Sequence, residues 1–412
     1  MAAPEPVDMM VMACQDQTCD FKPMKMQRRP LGDEDVLIHM AYCGVCHTDL
    51  HIAANHAKNV QPTVYPCVPG HELAGVCIAV GPKVTKVKVG DHVGVGCMVD
   101  SCLKCSACKK GEENMCRKVN TATYQGKNTH GRAASFPAGG VTVGGYCTKM
   151  VVHEHFAILI PKNYPLELAG PVMCAGVTMY EPLRYYKAGP GTKVGIVGLG
   201  GLGITGIKIA KALGCHVTAI SRGEKKKALA MKVGADSFVS STSEEQMAGA
   251  GKSFDLTLNT IPGPHDHTPY QKLAKVGGKC VLLGAHSAMI AAAVLVDPIT
   301  GGRSTMTGSM IGGIKATQEV VDLCAKHQIM LEHKVVPVWE VNTVFEALDK
   351  ANDEGLRYVL DLKKTLHENT AAMCTLPPPQ LSEPDPRTTV SVGRILSSCF
   401  SMLFVHWGCR RI

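Results

Sequence analysis

Two separate groups of metal-ligating side chains stand out in the first 120 residues. The first runs Cys43-Gly44-Val45-Cys46-His47-Thr48-Asp49-Leu50-His51 and is followed, after a proline-bounded loop, by Pro69-Gly70-His71-Glu72. Thiols and imidazoles are the usual ligands of zinc, and a neighbouring carboxylate can orient a ligating imidazole through its other nitrogen. Cys46 and His71 are therefore read as holding a zinc ion, with a third ligand supplied from further along. The competing reading is a buried cysteine and a core histidine, since free cysteine is among the most buried residue types. The second group, Cys102, Cys105, Cys108 and Cys116, has the spacing C-x2-C-x2-C-x7-C within a polar stretch. Four thiolates that close in sequence can surround one tetrahedral ion and leave no position for substrate, which describes a structural zinc. An iron–sulfur cluster is the other chemical option that four cysteines allow.

A third chemistry begins at residue 193. An apolar stretch at 193–197 leads into Gly198-Leu199-Gly200-Gly201-Leu202-Gly203, then a helical pattern over 204–213 and a second apolar stretch at 216–220. That is G-x-G-x-x-G in its required setting of strand, turn, helix and strand, the fingerprint of dinucleotide binding. Gly198 allows the turn, Gly200 lets the backbone approach a pyrophosphate, and Gly203 lets the helix lie close to its strand. The helix N-terminus, at Gly201, Leu202 and Gly203, offers free N–H groups to the phosphates. After the second strand, where NAD sites usually carry an acidic residue, stand Ser221 and Arg222, with Lys226 close behind. A hydroxyl, a guanidinium and an ammonium attract a 2′-phosphate, so NADP is the expected cofactor. Glu224 and the charges of an ordinary helix start are the counter-argument.

These residues need elements to position them. A strand over 36–42 delivers the first cysteine loop, and Val- and Gly-rich stretches at 76–81 and 86–98 make a β-rich domain. Strands fill 146–160, and 166–186 has a helical pattern that includes Cys174. Further strands at 237–240, 255–259, 279–284 and 305–311 complete a parallel sheet of about six strands. Helical patterns follow at 317–327 and 345–351, and a last strand at 357–362. The expected fold is α/β: a GroES-like β-rich catalytic domain over 1–170 with a metal lobe at 97–117, a Rossmann doubly wound parallel sheet over 171–311, and a return to the first domain over 312–366. Residues 367–412, with three consecutive prolines and an apolar run too short for a bilayer, are expected to be a poorly ordered tail.

At 412 residues, 45% apolar and 19% charged, the chain is long enough for two or three globular domains. Its net charge of +8 is spread along the sequence, which suits an anionic small molecule and argues against nucleic acid. Residues 1–16 show no secretory pattern, and nothing reaches the length of a membrane span. Nineteen cysteines in such a chain point to reduced thiols and metal ligands, and so to the cytoplasm.

The order of zinc loop, four-cysteine lobe and dinucleotide fold resembles that of the zinc-dependent medium-chain alcohol dehydrogenases, and within them the NADP-dependent cinnamyl alcohol dehydrogenase group. The likeness is carried by CGVCHTDLH at 43–51, PGHE at 69–72, the lobe at 102–116, GGYCTKMVV at 144–152, MCAGVTMYEPL at 173–183, VGLGGLG at 197–203 and GSMIGG at 308–313. It covers roughly residues 10–362. Carried over residue by residue, it implies Cys46, His71 and Cys174 as catalytic zinc ligands, with Glu72 and Asp49 standing behind them and Asp49 steadying His71. It implies Thr48 as the hydroxyl that meets the reacting oxygen and His51 as the end of a proton path by way of the cofactor ribose. It also implies Ser221, Arg222 and Lys226 at the 2′-phosphate, although Arg222 replaces a serine found in many plant members. Two zinc ions per chain, NADP, a small alcohol or aldehyde substrate and a homodimer complete the expectation. Two other readings stay open: an NAD-dependent polyol or secondary-alcohol dehydrogenase, and a non-catalytic redox-sensing protein that binds zinc and nucleotide.

Overall fold

The computed structural model describes residues 5–56, 58, 61–132, 140–284, 304–350 and 355–367. The chain opens with an antiparallel hairpin, β1 (Val7–Cys14) and β2 (Phe21–Arg28). No element is expected there from sequence. The buried run of β1, Met9 to Cys14, is apolar at every position, and such a run lacks the alternation that marks a strand.

The first sheet is built around β3 (Asp35–Val45), which ends directly before Cys46. β4 (Leu73–Val80), β5 (His92–Val95), β8 (Lys149–His153) and β9 (Ile158–Leu159) extend it. Between them β6 (Met98–Asp100) and β7 (Thr121–Ala122) form a short ribbon at the base of the cysteine lobe. The sheet is completed from far down the chain by β16 (His333–Pro337) and β17 (Arg357–Asp361), in the order β16-β17-β3-β4-β5-β9 with β8 also on β3. Tyr358 to Asp361 pair antiparallel with Val45 to Tyr42, the residues that lead into the metal loop.

The second sheet is fully parallel. Its strands are β10 (Lys193–Val197), β11 (His216–Ser221), β12 (Ser237–Ser240), β13 (Phe254–Asn259), β14 (Ala274–Leu282) and β15 (Thr305–Gly308). Their order, β12-β11-β10-β13-β14-β15, is the doubly wound Rossmann arrangement, with its switch point between β10 and β13. All of the expected strands of this sheet are present. β14 begins five residues earlier than expected, at Ala274, through a stretch with three consecutive exposed residues that hydropathy does not mark.

Three helical stretches matter for the site. α1 (His47–Ala53) follows β3 immediately and presents Thr48 and His51 one turn apart. The long helical run expected at 166–186 is present as α2 (Leu166–Pro171), a π-helical turn over Val172–Gly176, and α3 (Val177–Tyr185). The helix after the glycine turn, α4, spans Gly201–Ala212 and so starts three residues before its expected position. α5 (Ile314–His327) and α6 (Val341–Asp349) precede and follow β16. Among the described residues no helix is long and apolar enough to cross a membrane. The tail expected over 367–412 lies, apart from His367, outside the described residues.

Candidate active site

Asp49 organises the first cluster. It is fully buried and accepts from four donors: the Cys46 amide at 2.9 Å, the Gly70 amide at 3.2 Å, the His71 ring at 3.0 Å and the Tyr146 hydroxyl at 3.2 Å. The Cys46 bond is half of a capping box, so one carboxylate both starts α1 and fixes the imidazole. Because His71 uses Nδ1 on Asp49, its Nε2 faces Cys174 Sγ at 3.1 Å. Cys174 Sγ in turn lies 4.0 Å from Cys46 Sγ. Tetrahedral zinc holds sulfur ligands about 3.8 Å apart and sulfur and nitrogen about 3.6 Å apart. Cys46, His71, Glu72 and Cys174 each offer one ligand atom, all within 4.8 Å of one another. Glu72 is buried, and its Oε2 has no hydrogen-bond partner while Oε1 pairs with Arg357.

The cluster is electrostatically set up for a cation. A hydrogen bond from Cys174 holds the Cys46 thiol well below its ordinary value against the opposing effect of burial, and His71 and Arg357 add to the depression. Burial pushes the Glu72 carboxyl up, with Arg357 resisting. Cys174 comes from the π-turn, a feature frequent at functional sites. Its carbonyl is satisfied by the Thr178 hydroxyl at 2.7 Å. Gly170, just before the turn, is required by close approach: a Cβ there would lie 2.2 Å from the Glu72 carbonyl. Thr48 is exposed, its hydroxyl 3.6 Å from Cys46 Sγ. His51 is half-buried and touches His56.

The four lobe cysteines also converge. Cys102 and Cys108 are 3.8 Å apart and Cys105 and Cys108 3.5 Å apart at sulfur, and the Cys102 amide points at Cys116 Sγ at 3.5 Å. Backbone donors from Cys108 and Arg117 bring the Cys105 thiol down to about 6. Cys97, adjacent in sequence, belongs elsewhere: its thiol is directed at the Met173 carbonyl, 3.8 Å away, beside Cys174.

At the glycine turn the three glycines have three different reasons. Gly198 has φ +92 and packs on Thr260, and a Cβ on Gly203 would lie 1.9 Å from the Gly198 carbonyl. Nothing of the protein lies within 4 Å of a Cβ on Gly200, which leaves that side open to a ligand. Gly201 and Leu202 open α4, half-buried. Ser221 ends β11, Arg222 is exposed, and Lys226 Nζ reaches back to the Leu199 carbonyl at 3.2 Å. Glu224 is engaged by Gln246 at 3.2 Å and Lys227 at 3.3 Å.

A model of the alcohol dehydrogenase GroES-like domain matches residues 32–162, and a model of the zinc-binding dehydrogenases matches residues 201–326. Mannitol dehydrogenase of Petroselinum crispum is 45% identical over 348 residues, 84% of this chain and 99% of that one. Among solved structures, cinnamyl alcohol dehydrogenase from Sorghum bicolor superposes with a TM-score of 0.79 at 37% identity, covering 87% of this chain and 98% of that chain. CAD from Helicobacter pylori, complexed with NADP(H), gives 0.78 at 36%, covering 88% and 100%. The chain belongs to the zinc-dependent medium-chain alcohol dehydrogenases. It is an enzyme of alcohol and aldehyde redox chemistry, with a GroES-like domain and a Rossmann domain.

Three features of this dehydrogenase escape a reading of its sequence. Arg357, on β17, carries no local signal, yet its guanidinium is buried against Glu72 and its Cδ lies 3.1 Å from where a Cβ on Gly201 would fall. The π-turn is hidden inside an unbroken helical pattern, with Pro171 and Gly176 as the only hints. The contact of His56 with His51 depends on the turn that ends α1, and a histidine five residues after another is not a sign of it.

Proposed function

We propose that this chain interconverts primary alcohols and aldehydes with NADP(H), using one zinc held by Cys46, His71 and Cys174 and a second held by Cys102, Cys105, Cys108 and Cys116. The observation that supports it most is the convergence of two thiols and one imidazole nitrogen, drawn from residues 46, 71 and 174, at ligand spacing beside an exposed hydroxyl, that of Thr48. The orphaned Oε2 of Glu72 and the depressed Cys46 thiol suit a divalent ion there. When bound, zinc supplies Lewis acidity to the alcohol or carbonyl oxygen, and the nicotinamide supplies the hydride chemistry.

The residues of the chain do the rest. Asp49 keeps His71 in the tautomer that leaves Nε2 for the metal. Thr48 takes the proton of the alcohol hydroxyl as it gives up its own, and His51, one turn along α1, is the end of that proton path. The open face of Gly200 and the amides at the start of α4 hold the pyrophosphate. Ser221, Arg222 and Lys226 hold the 2′-phosphate, with Glu224 drawn aside by Gln246 and Lys227. On the family likeness we also read the enzyme as a homodimer, a state that sedimentation velocity tests.

The deciding experiment follows NADPH and NADH consumption separately across aromatic, allylic and aliphatic aldehydes, with metal analysis of the purified chain. A clear preference for NADPH and two zinc ions per chain supports the reading; equal or better turnover with NADH, or one zinc, overturns it. Likeness to a mannitol dehydrogenase favours one second reading, NAD-linked oxidation of a polyol, and adding mannitol with NAD to the same assay decides between them.

A further inference from the structure

The link from β15 to α5 carries the chain out of the parallel sheet, and the cysteine lobe grips it at three points. Glu113 stands between the lobe's third and fourth cysteines, fully buried, with both carboxylate oxygens engaged. Oε1 accepts from the His155 ring at 2.7 Å, and Oε2 accepts from the Ile314 amide, the first of α5, at 2.8 Å. Burial works against ionisation of this carboxyl, but the two donors prevail and hold it below the usual range. Gly313 rests directly on the lobe, since a Cβ there would lie 1.8 Å from the Gly111 carbonyl. At the other end of the link, the Met310 carbonyl accepts from the Asn114 side chain at 3.3 Å.

Between these holds the backbone is strained. Ile311 sits at φ +46, a conformation rare for a β-branched residue, which persists only where the surroundings over-determine it. Ile311 and Gly312 form one wall of a small cavity, and Cys97 and Met173, the residue before Cys174, form another. Further along α5, Gln318 bonds both the amide and the carbonyl of Leu159 at 2.9 Å. The body of that helix is thereby seated on β9 without help from the lobe. What Glu113 adds is a hold on the link and on the first turn.

We propose that Glu113 is a positioning residue: it holds the strained link so that Ile311 keeps its place opposite Met173, and thereby sets which aldehyde fits beside Cys174. This rests on the proposed function given above. Glu113 is outside both clusters of ligand atoms and acts through the wall that Ile311 makes. Docking of the lobe alone is the alternative, and it predicts a change in stability without a change in selectivity.

The test compares Glu113→Ala, Glu113→Gln and Asn114→Ala with wild type in the full chain, with zinc content measured for each. NADPH-linked reduction is followed for two aldehydes of unequal size, the fastest aromatic and the fastest short aliphatic one of a panel. The ratio of their kcat/KM values does not depend on how much of a preparation is folded, so a loss of stability alone cannot move it. Glu113→Ala should shift that ratio about ten-fold, chiefly through KM, with zinc content unchanged. Glutamine can accept from the Ile314 amide and donate to the His155 ring, so Glu113→Gln should return the ratio to within about two-fold of wild type. Asn114→Ala removes no buried charge, releases only the hold on Met310, and should shift the ratio about three-fold in the same direction. An unmoved ratio in Glu113→Ala overturns the proposal, or in Asn114→Ala if the first variant does not fold. So does a glutamine variant no closer to wild type than the alanine one. A wild type that reduces no aldehyde removes the proposed function and this proposal together; an active wild type with unmoved ratios in the variants removes this proposal alone.

Discussion

The guanidinium of Arg357 and the carboxylate of Glu72 form a buried ion pair that ties the last strand of the first sheet to the metal cluster. Removing one member of such a pair leaves an uncompensated charge, and that costs about 3–5 kcal/mol. Arg357→Leu should therefore lower the unfolding free energy from urea titration by that amount, and adding Glu72→Gln should recover part of it. A midpoint unchanged in Arg357→Leu would mean that Glu72 is neutral in the native state.

The glycine turn separates folding from binding. Gly203→Ala places a methyl 1.9 Å from the Gly198 carbonyl and must displace α4 from its strand. Gly200→Ala meets nothing of the protein. We expect the first to lower the thermal midpoint, and the second to leave it in place while weakening NADPH binding at least ten-fold, measured by quenching or calorimetry. The reverse pattern would contradict the assignment of Gly200 to the pyrophosphate.

Each metal site should empty alone. On the proposed assignment Cys105→Ser removes a ligand of the lobe, and metal analysis should fall from the proposed two zinc ions per chain towards one, with a lower thermal midpoint because a structural zinc contributes folding energy. Cys174→Ser should lose the other ion and abolish turnover at little cost to the midpoint. Loss of both ions from either variant would show that the sites are not independent.

Acid sensitivity has an identifiable contributor in the parallel sheet. Burial works against ionisation of Asp236, but two contacts from Lys211 at 2.7 and 2.8 Å and the Val217 amide at 2.7 Å prevail and hold its carboxyl below the usual range. A depressed native pKa contributes stability that is present above the unfolded value, near 4, and is lost as pH falls through the native value. The stability gap between wild type and Asp236→Asn should be constant from pH 7 to about 5 and close below 4. A gap that widens in acid would reverse the sign of the argument.

Local chemistry was legible in the sequence to the extent that its signals were local. The glycine turn is bracketed by strands that begin where expected, at Lys193 and His216, and the lobe cysteines lie in one loop at an interval that itself implies convergence. Periodicity marked α5 and α6 but missed their first turns, where Lys315 and the Asn342-Thr343 pair interrupt the apolar spacing. Tertiary relations were invisible. The buried part of β1 is an apolar run without alternation, the partner of Glu72 lies 285 residues away, and a π-turn differs from an α-turn only in backbone spacing. Cys174 itself came from family likeness, because one cysteine in a helical stretch has no spacing to read.

The pairing of β17 with the end of β3 also sets a timetable. Residues 42–45, which brace the loop bearing Cys46 and Thr48, find their neighbour only at Tyr358 to Asp361. On the ribosome the nucleotide-binding sheet can fold while that brace is still unmade. The strand that leads into Cys46 therefore gains its last hydrogen-bonded neighbour only when the chain has been translated almost to the end.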